Sequence, residues 1–504
     1  MSWKAWLVTM ESLYTRKVGG LAEVPPRLAG ALIKKGVSAE VVTPSHKIEC
    51  PEGKAVFETT LFGQRYLVEK CEFEVPHLLI RGGVFDEETV YPREGLDRKA
   101  LLLGAVVAQF FRELVKRGEN PRIVHGNDWH SAPLLLGVNV ASTEANVDTR
   151  LIYHIHLLTN TTIKLEDYEK YLGVSRKSLV RGVLGPRRLE EYYWETGGYV
   201  DKLASYISSK TVTVSKQFTK NVKRALGASS PVEVDYIFNA TTWGTREVYE
   251  AVSRIIGLDP SRLDTKREAR RQLLTKIFSS LKFNPGSREV TRIAESLAEK
   301  YGVRYNEPFP SDGKLVFLSG RITRQKGFDL LAKAMDKLVA EEPSLRVVVA
   351  GIPIPGAERE LELLVKTQAL HREHFRVIPG YVEPDIYKLM YYSADVYLAP
   401  SRYEPFGLVA VEALSAGTPV VASRTGGLAD IVIDLRVDPG RGVGTLFEPG
   451  NVTDLVDALI YMLEFLELSN SQELLRLREN CFLRASHFTW DKSAEKALEV
   501  YGLR

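Results

Sequence analysis

The sequence predicts an α/β protein built from two doubly wound domains with a ligand cleft between them. Three observations carry this. Short apolar runs alternate with helical patterns along most of the chain, as they do where crossover helices join parallel strands. At 504 residues the chain exceeds what one core fills. The alternation also starts afresh near residue 314, after a stretch rich in Arg, Glu and Lys. The expected domains are residues 1–241 and residues 242–489, the second carrying a helical insertion at 244–310.

In the first half, residues 3–9 read as a strand. A basic glycine turn, Arg16-Lys17-Val18-Gly19-Gly20, then opens a helix running to about Lys35, and residues 39–43 form the next strand. This βαβ opening places a helix start where an anion can bind. Its glycine spacing is not G-x-G-x-x-G, and a Gly-Gly before a helix is often only a turn. Residues 55–81 alternate as β-ribbons broken at Gly63 and Pro76, and residues 100–116 form an apolar helix. Residues 122–125 are a buried strand that delivers Gly126-Asn127-Asp128-Trp129-His130 to its carboxyl end, where open α/β sheets hold ligands. Residues 151–156 repeat the pattern and end in His156. His154 and His156 alternate on that strand and are expected to face opposite sides, one of them towards the ligand. Residues 160–198 lack clean periodicity and predict a mobile or helical insertion. Residues 211–215 and 232–238 are further strands, the last ending at Asn239.

In the second half, residues 314–319, 345–350, 375–379, 395–400 and 419–422 are the predicted strands. Residues 244–310 read as solvated helices flanking the inter-domain link. After the first strand comes Gly320-Arg321-Ile322-Thr323-Arg324-Gln325-Lys326-Gly327. It places Arg321 and Lys326 in a strand-to-helix loop, where two fixed cations neutralise a diphosphate. Residues 401–412 are the strongest candidate site. Pro405 and Gly407 turn the chain from strand to helix, and the Gly407-Leu408 helix start offers backbone N–H groups to an anion. Glu412 falls about two turns into that helix, so it and Glu404 are not a carboxylate pair over one bond. Arg424-Thr425-Gly426-Gly427-Leu428-Ala429-Asp430 echoes Lys17-Val18-Gly19-Gly20-Leu21-Ala22-Glu23. Both turns are expected to aim N–H groups at an anion.

Several classes are excluded. A composition of 44% hydrophobic and 26% charged residues is that of a soluble globular protein. A net charge of +3 gives no reason to expect nucleic acid. No apolar run reaches membrane-spanning length, and Lys4 and Glu11 interrupt the apolar start, which argues against a signal peptide. The cysteines, Cys50, Cys71 and Cys481, are far apart and odd in number, which fits reduced thiols in the cytoplasm. Scarce Gln with plentiful Glu, Lys and Arg points to a heat-adapted source. No Asp-x-Asp metal clamp, metal-binding His pair, Gly-x-Ser-x-Gly elbow or Walker loop is present.

Taken together, Lys17-Val18-Gly19-Gly20-Leu21-Ala22, His125-x-Asn127-Asp128-Trp129-His130, Arg321 with Lys326, Glu404-Pro405-Phe406-Gly407-Leu408 with Glu412, and Arg424-Thr425-Gly426-Gly427-Leu428 resemble the glycogen and starch synthases, in an archaeal-type form. The resemblance runs from residue 3 to about 502 and includes Phe488-Thr489-Trp490-Asp491. It implies the GT-B fold, with the C-terminal helix, within residues 490–504, crossing back to the first domain. It also implies retaining transfer of glucose from ADP-glucose or UDP-glucose to an α-1,4-glucan. By matching positions, Arg321 and Lys326 hold the diphosphate and Glu404 contacts the donor glucose. Gly407 and Leu408 donate N–H groups to phosphate, Tyr381 stacks on the base, and Glu412 binds the ribose. Lys17 and Gly20 match the phosphate-side loop. Asp128, His156 and Asn239 match residues around the transferred glucose, His156 through its carbonyl. No cofactor and no metal is implied, and an oligomer is possible. The sequence departs from the family at Glu23, at Leu157 after His156, and at Asn239-Ala240-Thr241-Thr242. Two other readings stay open. One is a related retaining transferase making a disaccharide or glycoside. The other is an inactive glucan-binding protein.

Overall fold

The computed structural model describes residues 3–50, 52–354 and 356–504. It forms two compact units: unit 1 is Met1–Asn239 with Trp490–Arg504, and unit 2 is Ala240–Thr489.

Unit 1 is built on β1 (Lys4–Val8), β2 (Ser38–Pro44), β3 (Lys54–Leu61), β4 (Gln64–Glu72), β5 (Pro76–Arg81), β6 (Ile123–Asn127) and β7 (Arg150–Ile155). A small ribbon of β8 (Leu179–Val180) and β9 (Arg187–Arg188) follows, then β10 (Lys210–Thr213) and β11 (Val234–Tyr236). The main sheet runs β11-β10-β7-β6-β1-β2-β5-β4-β3. It is parallel from β11 to β5, and β4 and β3 add an antiparallel edge. Its central strands are buried on both faces, as parallel strands covered by helices must be. The helices are α1 (Val24–Lys34), α2 (Leu96–Arg117), α3 (Ala132–Glu144), α4 (Leu165–Asp167), α5 (Leu189–Glu195), α6 (Val200–Ile207) and α7 (Lys216–Leu226). The segment expected to be mobile or helical thus holds short helices and one small ribbon.

Unit 2 has a six-stranded parallel sheet ordered β15-β14-β13-β17-β18-β19. Its strands are β13 (Lys314–Ile322), β14 (Leu345–Pro353), β15 (Phe375–Pro379), β17 (Val396–Ala399), β18 (Val420–Ser423) and β19 (Gly444–Phe447). A two-stranded ribbon pairs β12 (Phe283–Asn284) with β16 (Tyr381–Val382). The helices are α8 (Thr245–Ile256), α9 (Leu263–Thr275), α10 (Arg288–Tyr301), α11 (Phe328–Glu341), α12 (Glu358–Leu370), α13 (Pro384–Ser393), α14 (Leu408–Ser415), α15 (Gly426–Ile431), α16 (Val452–Leu468) and α17 (Ser471–Ala485). The last helix, α18 (Trp490–Val500), belongs to unit 1. There Lys35 pairs with Asp491 at 2.7 Å, and Ala494, Ala497 and Tyr501 join the core built around β1 and α1.

In each sheet the chain starts at a central strand, winds outward one way, then returns to the other side. In unit 2 the order in sequence terms is 3-2-1-4-5-6, with the reversal between β13 and β17. In unit 1 it falls between β1 and β6. Loops leaving the carboxyl ends of the two strands at such a reversal diverge and open a crevice. Most predicted site loops leave these four strands, while His156, Asn239 and Tyr381 follow β7, β11 and β15.

The structure corrects four expectations. Residues 244–310 are not merely solvated helices. Val248, Ala251 and Val252 are buried, and Arg270 bonds both Asp312 and Asp395, at 2.9 and 2.8 Å. The β12 strand inside this segment pairs with β16. Arg321 lies within β13, paired with Ile352 of β14, not in the loop after it. Glu412 is the fifth residue of α14, so it lies just over one turn in. Finally, Cys50 and Cys71 form a disulfide, because the β3–β4 hairpin folds back the 21 residues that separate them. Only Cys481 is free. Among the described residues, the sole three-residue group of His, Cys, Asp or Glu close enough to share an ion is Cys50, Glu69 and Cys71, and the disulfide occupies two of these. No helix among the described residues is long and apolar enough to cross a membrane.

Candidate active site

Unit 2 gathers seven of the predicted residues at the carboxyl edge of its sheet. After β17 the chain turns through Ser401 and Tyr403 into the α14 start. Glu404 is buried there, 8% exposed. Its Oε2 accepts Lys326 Nζ at 2.5 Å and Ser401 Oγ at 3.3 Å. The β13 and β17 loops are stitched together. Arg402 N donates to Gln325 O at 2.8 Å, and Gln325 Nε2 donates to Tyr403 O at 2.9 Å. Gly327, at φ +69°, lies so close that a Cβ would sit 1.9 Å from Pro400 O. Arg321 is exposed, and no ion pair or side-chain hydrogen bond links it to a described residue. Gly407 caps α14 at φ +101°, which favours glycine, and Leu408 begins the helix half-buried.

Glu412 is held from behind. Tyr391 OH donates to its Oε2 at 2.8 Å. Tyr391 and Tyr387 lie 2.9 Å from Ser319 Oγ, and Tyr397 lies 3.1 Å from it. Burial pushes the Tyr391 and Tyr387 phenols well up, and the Glu412 carboxylate adds to the shift. They therefore stay neutral donors. Nothing in the sequence pattern marked this cluster, because Tyr387, Tyr391 and Tyr397 converge on Ser319, some seventy positions away, only in the folded unit. Tyr381 is 54% exposed and flanked by β12, with Asn284 opposite it in register.

The Gly427 amide of the Gly426-Gly427 turn is not aimed at an anion, as the sequence suggested. Gly427 N donates to Glu404 O at 3.0 Å and to Pro405 O at 3.2 Å. A Cβ on Gly426 would lie 1.9 Å from Glu404 O, and one on Gly427 would lie 2.1 Å from Phe406 O. These glycines let a second backbone press against the Glu404 turn and fix it.

Unit 1 holds the other five residues. Beyond β1 the glycine turn wraps a buried carboxylate that sequence reasoning treated only as a charge: Glu11, 2% exposed. Its Oε2 accepts Val18 N at 2.6 Å and Gly19 N at 2.9 Å, and Oε1 accepts Tyr91 OH at 3.0 Å. An acid directly after an apolar strand was the available signal. Lys17 is exposed and pairs with Glu23 at 2.6 Å, and Gly20 begins a short 3-10 turn before α1.

Past β6, Asp128 adopts φ +56° and its Oδ1 accepts His156 N at 2.7 Å and Leu157 N at 3.1 Å. Burial raises its carboxyl to about 7, against the two backbone bonds that favour the charged form. His156 Nε2 meets Asn127 Oδ1 at 2.9 Å, and Asn127 Nδ2 donates to Val8 O, which fixes His156 as an Nε2–H donor. His154 and His156 do not face opposite sides. Their rings lie 4.2 Å apart, because residues two apart on a strand share a face. His154 Nδ1 meets His125 Nε2 at 3.1 Å, and His125 Nδ1 meets Tyr501 OH at 2.6 Å. Burial lowers His125 and His156 to about 3, so both are neutral. Asn239 is buried, and its Oδ1 has no hydrogen-bond partner.

Comparisons with known proteins bear on the family and the fold. The family profile "Starch synthase catalytic domain" matches residues 4–230, and "Glycosyl transferases group 1" matches residues 303–480. Glycogen synthase of Kosmotoga olearia is 26% identical over 99% of this chain and 97% of its own length. Glycogen synthase of Desulfitobacterium hafniense is 26% identical over 96% of both chains. An uncharacterized glycosyltransferase of Methanocaldococcus jannaschii is 43% identical over 27% of this chain and 34% of its own. In fold, the chain resembles the catalytic domain of Starch Synthase IV from Arabidopsis thaliana, solved with ADP and acarbose. The TM-score is 0.69 at 20% identity, over 100% of this chain and 99% of that one. Sucrose-phosphate synthase from Thermosynechococcus elongatus gives 0.58 at 18%, over 99% and 98%. With both halves matched in order by these profiles and the full length matched by the relatives, the chain belongs to the glycogen and starch synthase family of GT-B hexosyltransferases.

Proposed function

We propose that this hexosyltransferase extends an α-1,4-glucan, moving glucose with retention from ADP-glucose or UDP-glucose to the 4-hydroxyl of a non-reducing end. The observation that carries the reading is the Lys326–Glu404 pair at 2.5 Å, beside unpaired Arg321 and the Gly407 helix start. A diphosphate here takes its compensating charge from Arg321, Lys326 and the N–H groups of Gly407 and Leu408. The reading calls for no metal. Lys326 lies between leaving-group charge and the Glu404 carboxylate. Glu404 binds the donor glucose and faces the positive charge that develops on its ring. Tyr381 offers an exposed face for the base, and Tyr391 presents Glu412 to the ribose. In unit 1, Lys17 and Gly20 serve the phosphates, and Asp128 braces the loop of His156, whose carbonyl faces the sugar. The unpartnered Asn239 Oδ1 is an acceptor for a sugar hydroxyl. A cytoplasmic setting fits a nucleotide-sugar donor, and the Cys50–Cys71 bond fits it if the source is heat-adapted.

The test is incubation with radiolabelled ADP-glucose or UDP-glucose and glycogen. Label should enter polymer. Label confined to small sugars would replace this reading with a disaccharide- or glycoside-forming transferase, and no transfer at all with a glucan-binding protein. Glu404→Gln should retain donor binding while turnover falls by about 10²–10³-fold. Unchanged turnover would falsify its role.

A further inference from the structure

Unit 2 contains a cavity of about 340 Å³ at the opposite edge of its sheet from Glu404. It opens beneath the starts of β13, β17 and β18, where Lys314, Asp395 and Pro419 line it, and is closed by α9, α16 and α17. The volume lies within the range of small-molecule sites. Its walls divide chemically. Leu463, Leu474 and Leu477 form an apolar side. The polar side is cationic and incompletely neutralised. Arg270 is held by Asp312 and Asp395, and Lys314 by Glu342 and Glu467. Lys266, Arg267 and Arg478 make no carboxylate ion pair among the described residues, although Asp395 lies near enough to Lys266 to favour its charge.

Each of these three has spare donor capacity. Lys266 Nζ makes one hydrogen bond, to Thr418 Oγ1 at 2.9 Å. Burial lowers this amine to about 8, and an anion beside it would restore the full charge. Arg478 Nη2 donates to Ser261 O, while its Nη1 is buried with no partner. A buried guanidinium nitrogen left unbonded is costly, and filling it is favourable. Arg267 makes no ion pair or side-chain hydrogen bond with any described residue. Three donors of fixed or recoverable charge, two of them planar forks, suit a dianionic phosphate better than a single carboxylate.

We propose that this cavity binds a small organic phosphate, its phosphate on Lys266, Arg267 and Arg478 and its apolar body against Leu463, Leu474 and Leu477. The site is separate from the donor-phosphate groups, which occupy the carboxyl edge of the same sheet. The proposal does not rest on the identity of the transferred sugar.

The probe is phenyl phosphate, titrated calorimetrically into the full chain with saturating ADP present so that nucleotide-phosphate groups are filled. One saturable site with Kd below about 1 mM is expected, about tenfold or more tighter than inorganic phosphate. Lys266→Met should weaken it by about tenfold or more, as should Arg267→Gln, whose exposed position makes a folding defect a poor explanation. Absence of saturable binding overturns the proposal, as does competition by ADP or unchanged affinity in folded Arg267→Gln. Equal affinity for inorganic phosphate overturns the organic body.

Discussion

The glycine turns of the two units are nearly the same in sequence and opposite in use. In unit 1, Val18 and Gly19 turn their amides onto the buried Glu11 carboxylate, and Gly19 has room, since a Cβ would lie 3.6 Å from Glu11 Oε1. In unit 2, Gly427 turns its amide onto the backbone carbonyls of Glu404 and Pro405, and neither glycine has room for a Cβ. One turn is an anion cradle already filled by the protein. The other is a spacer that clamps the Glu404 turn. A glycine pair before a helix therefore specifies close approach, and the surrounding chain specifies what approaches.

Substitutions can break this contrast. The largest effect is expected from Gly427→Ala. Its Cβ would lie 2.1 Å from Phe406 O, so the Glu404 turn must shift, and a displacement near 1 Å costs about 10²-fold in turnover. The matching Gly19→Ala should change kcat by no more than about twofold. Equal losses in both variants would mean that the turns work alike. Next in size is Glu11→Ala, which leaves two amides without their acceptor. It should destabilise the protein by about 1–3 kcal/mol per orphaned group, read from the denaturant midpoint.

A third prediction concerns pH. Asp128 is raised from 3.8 to about 7 in the folded state, so between those values folded Asp128 holds a proton that the unfolded chain has released. Its contribution to stability is complete below pH 3.8 and is lost as pH rises towards 7. Relative to Asp128→Asn, the wild type should lose up to about 1.4 kcal/mol per pH unit across that window. A flat difference between the two denaturation series would remove the claim. His156, lowered to about 3 by burial, acts the other way: its contribution is present above its ordinary value of 6.5 and is lost as pH falls below it. Among the expected losses, the mildest belongs to Tyr391→Phe. Losing its 2.8 Å bond to Glu412 should raise the donor KM by about three- to tenfold with kcat nearly unchanged. A kcat loss without a KM change would place Glu412 elsewhere in the cycle.

Much of this was legible in order along the chain. Most strands of both sheets, though not β19, the turn at Gly407 and the Lys326 and Glu404 motifs follow from local pattern, because burial on two faces leaves continuous apolar runs and turns leave glycine and proline. The Cys50–Cys71 bond was hidden by a 21-residue separation that a hairpin closes. The His154–His156 error was one of period: two residues along a strand return to the same face. Glu11 went unread because a lone acid near the amino terminus looks like surface until the turn that follows it wraps back and Tyr91 reaches it.

The sequence by itself determined two doubly wound units, most of their strands, and the residue types available at each loop. These depend on short-range propensity and on periodicity, which the chain carries locally. Only the tertiary structure decided which carboxylate fills which glycine turn, that Tyr391 backs Glu412, that β12 flanks Tyr381, and that three unpaired cations share a cavity below the sheet. Apart from the Glu11 cradle, whose amides lie seven and eight positions on, those are pairings between residues tens to hundreds of positions apart. They are set by strand order and by the reversal points of the sheets, which no local pattern encodes.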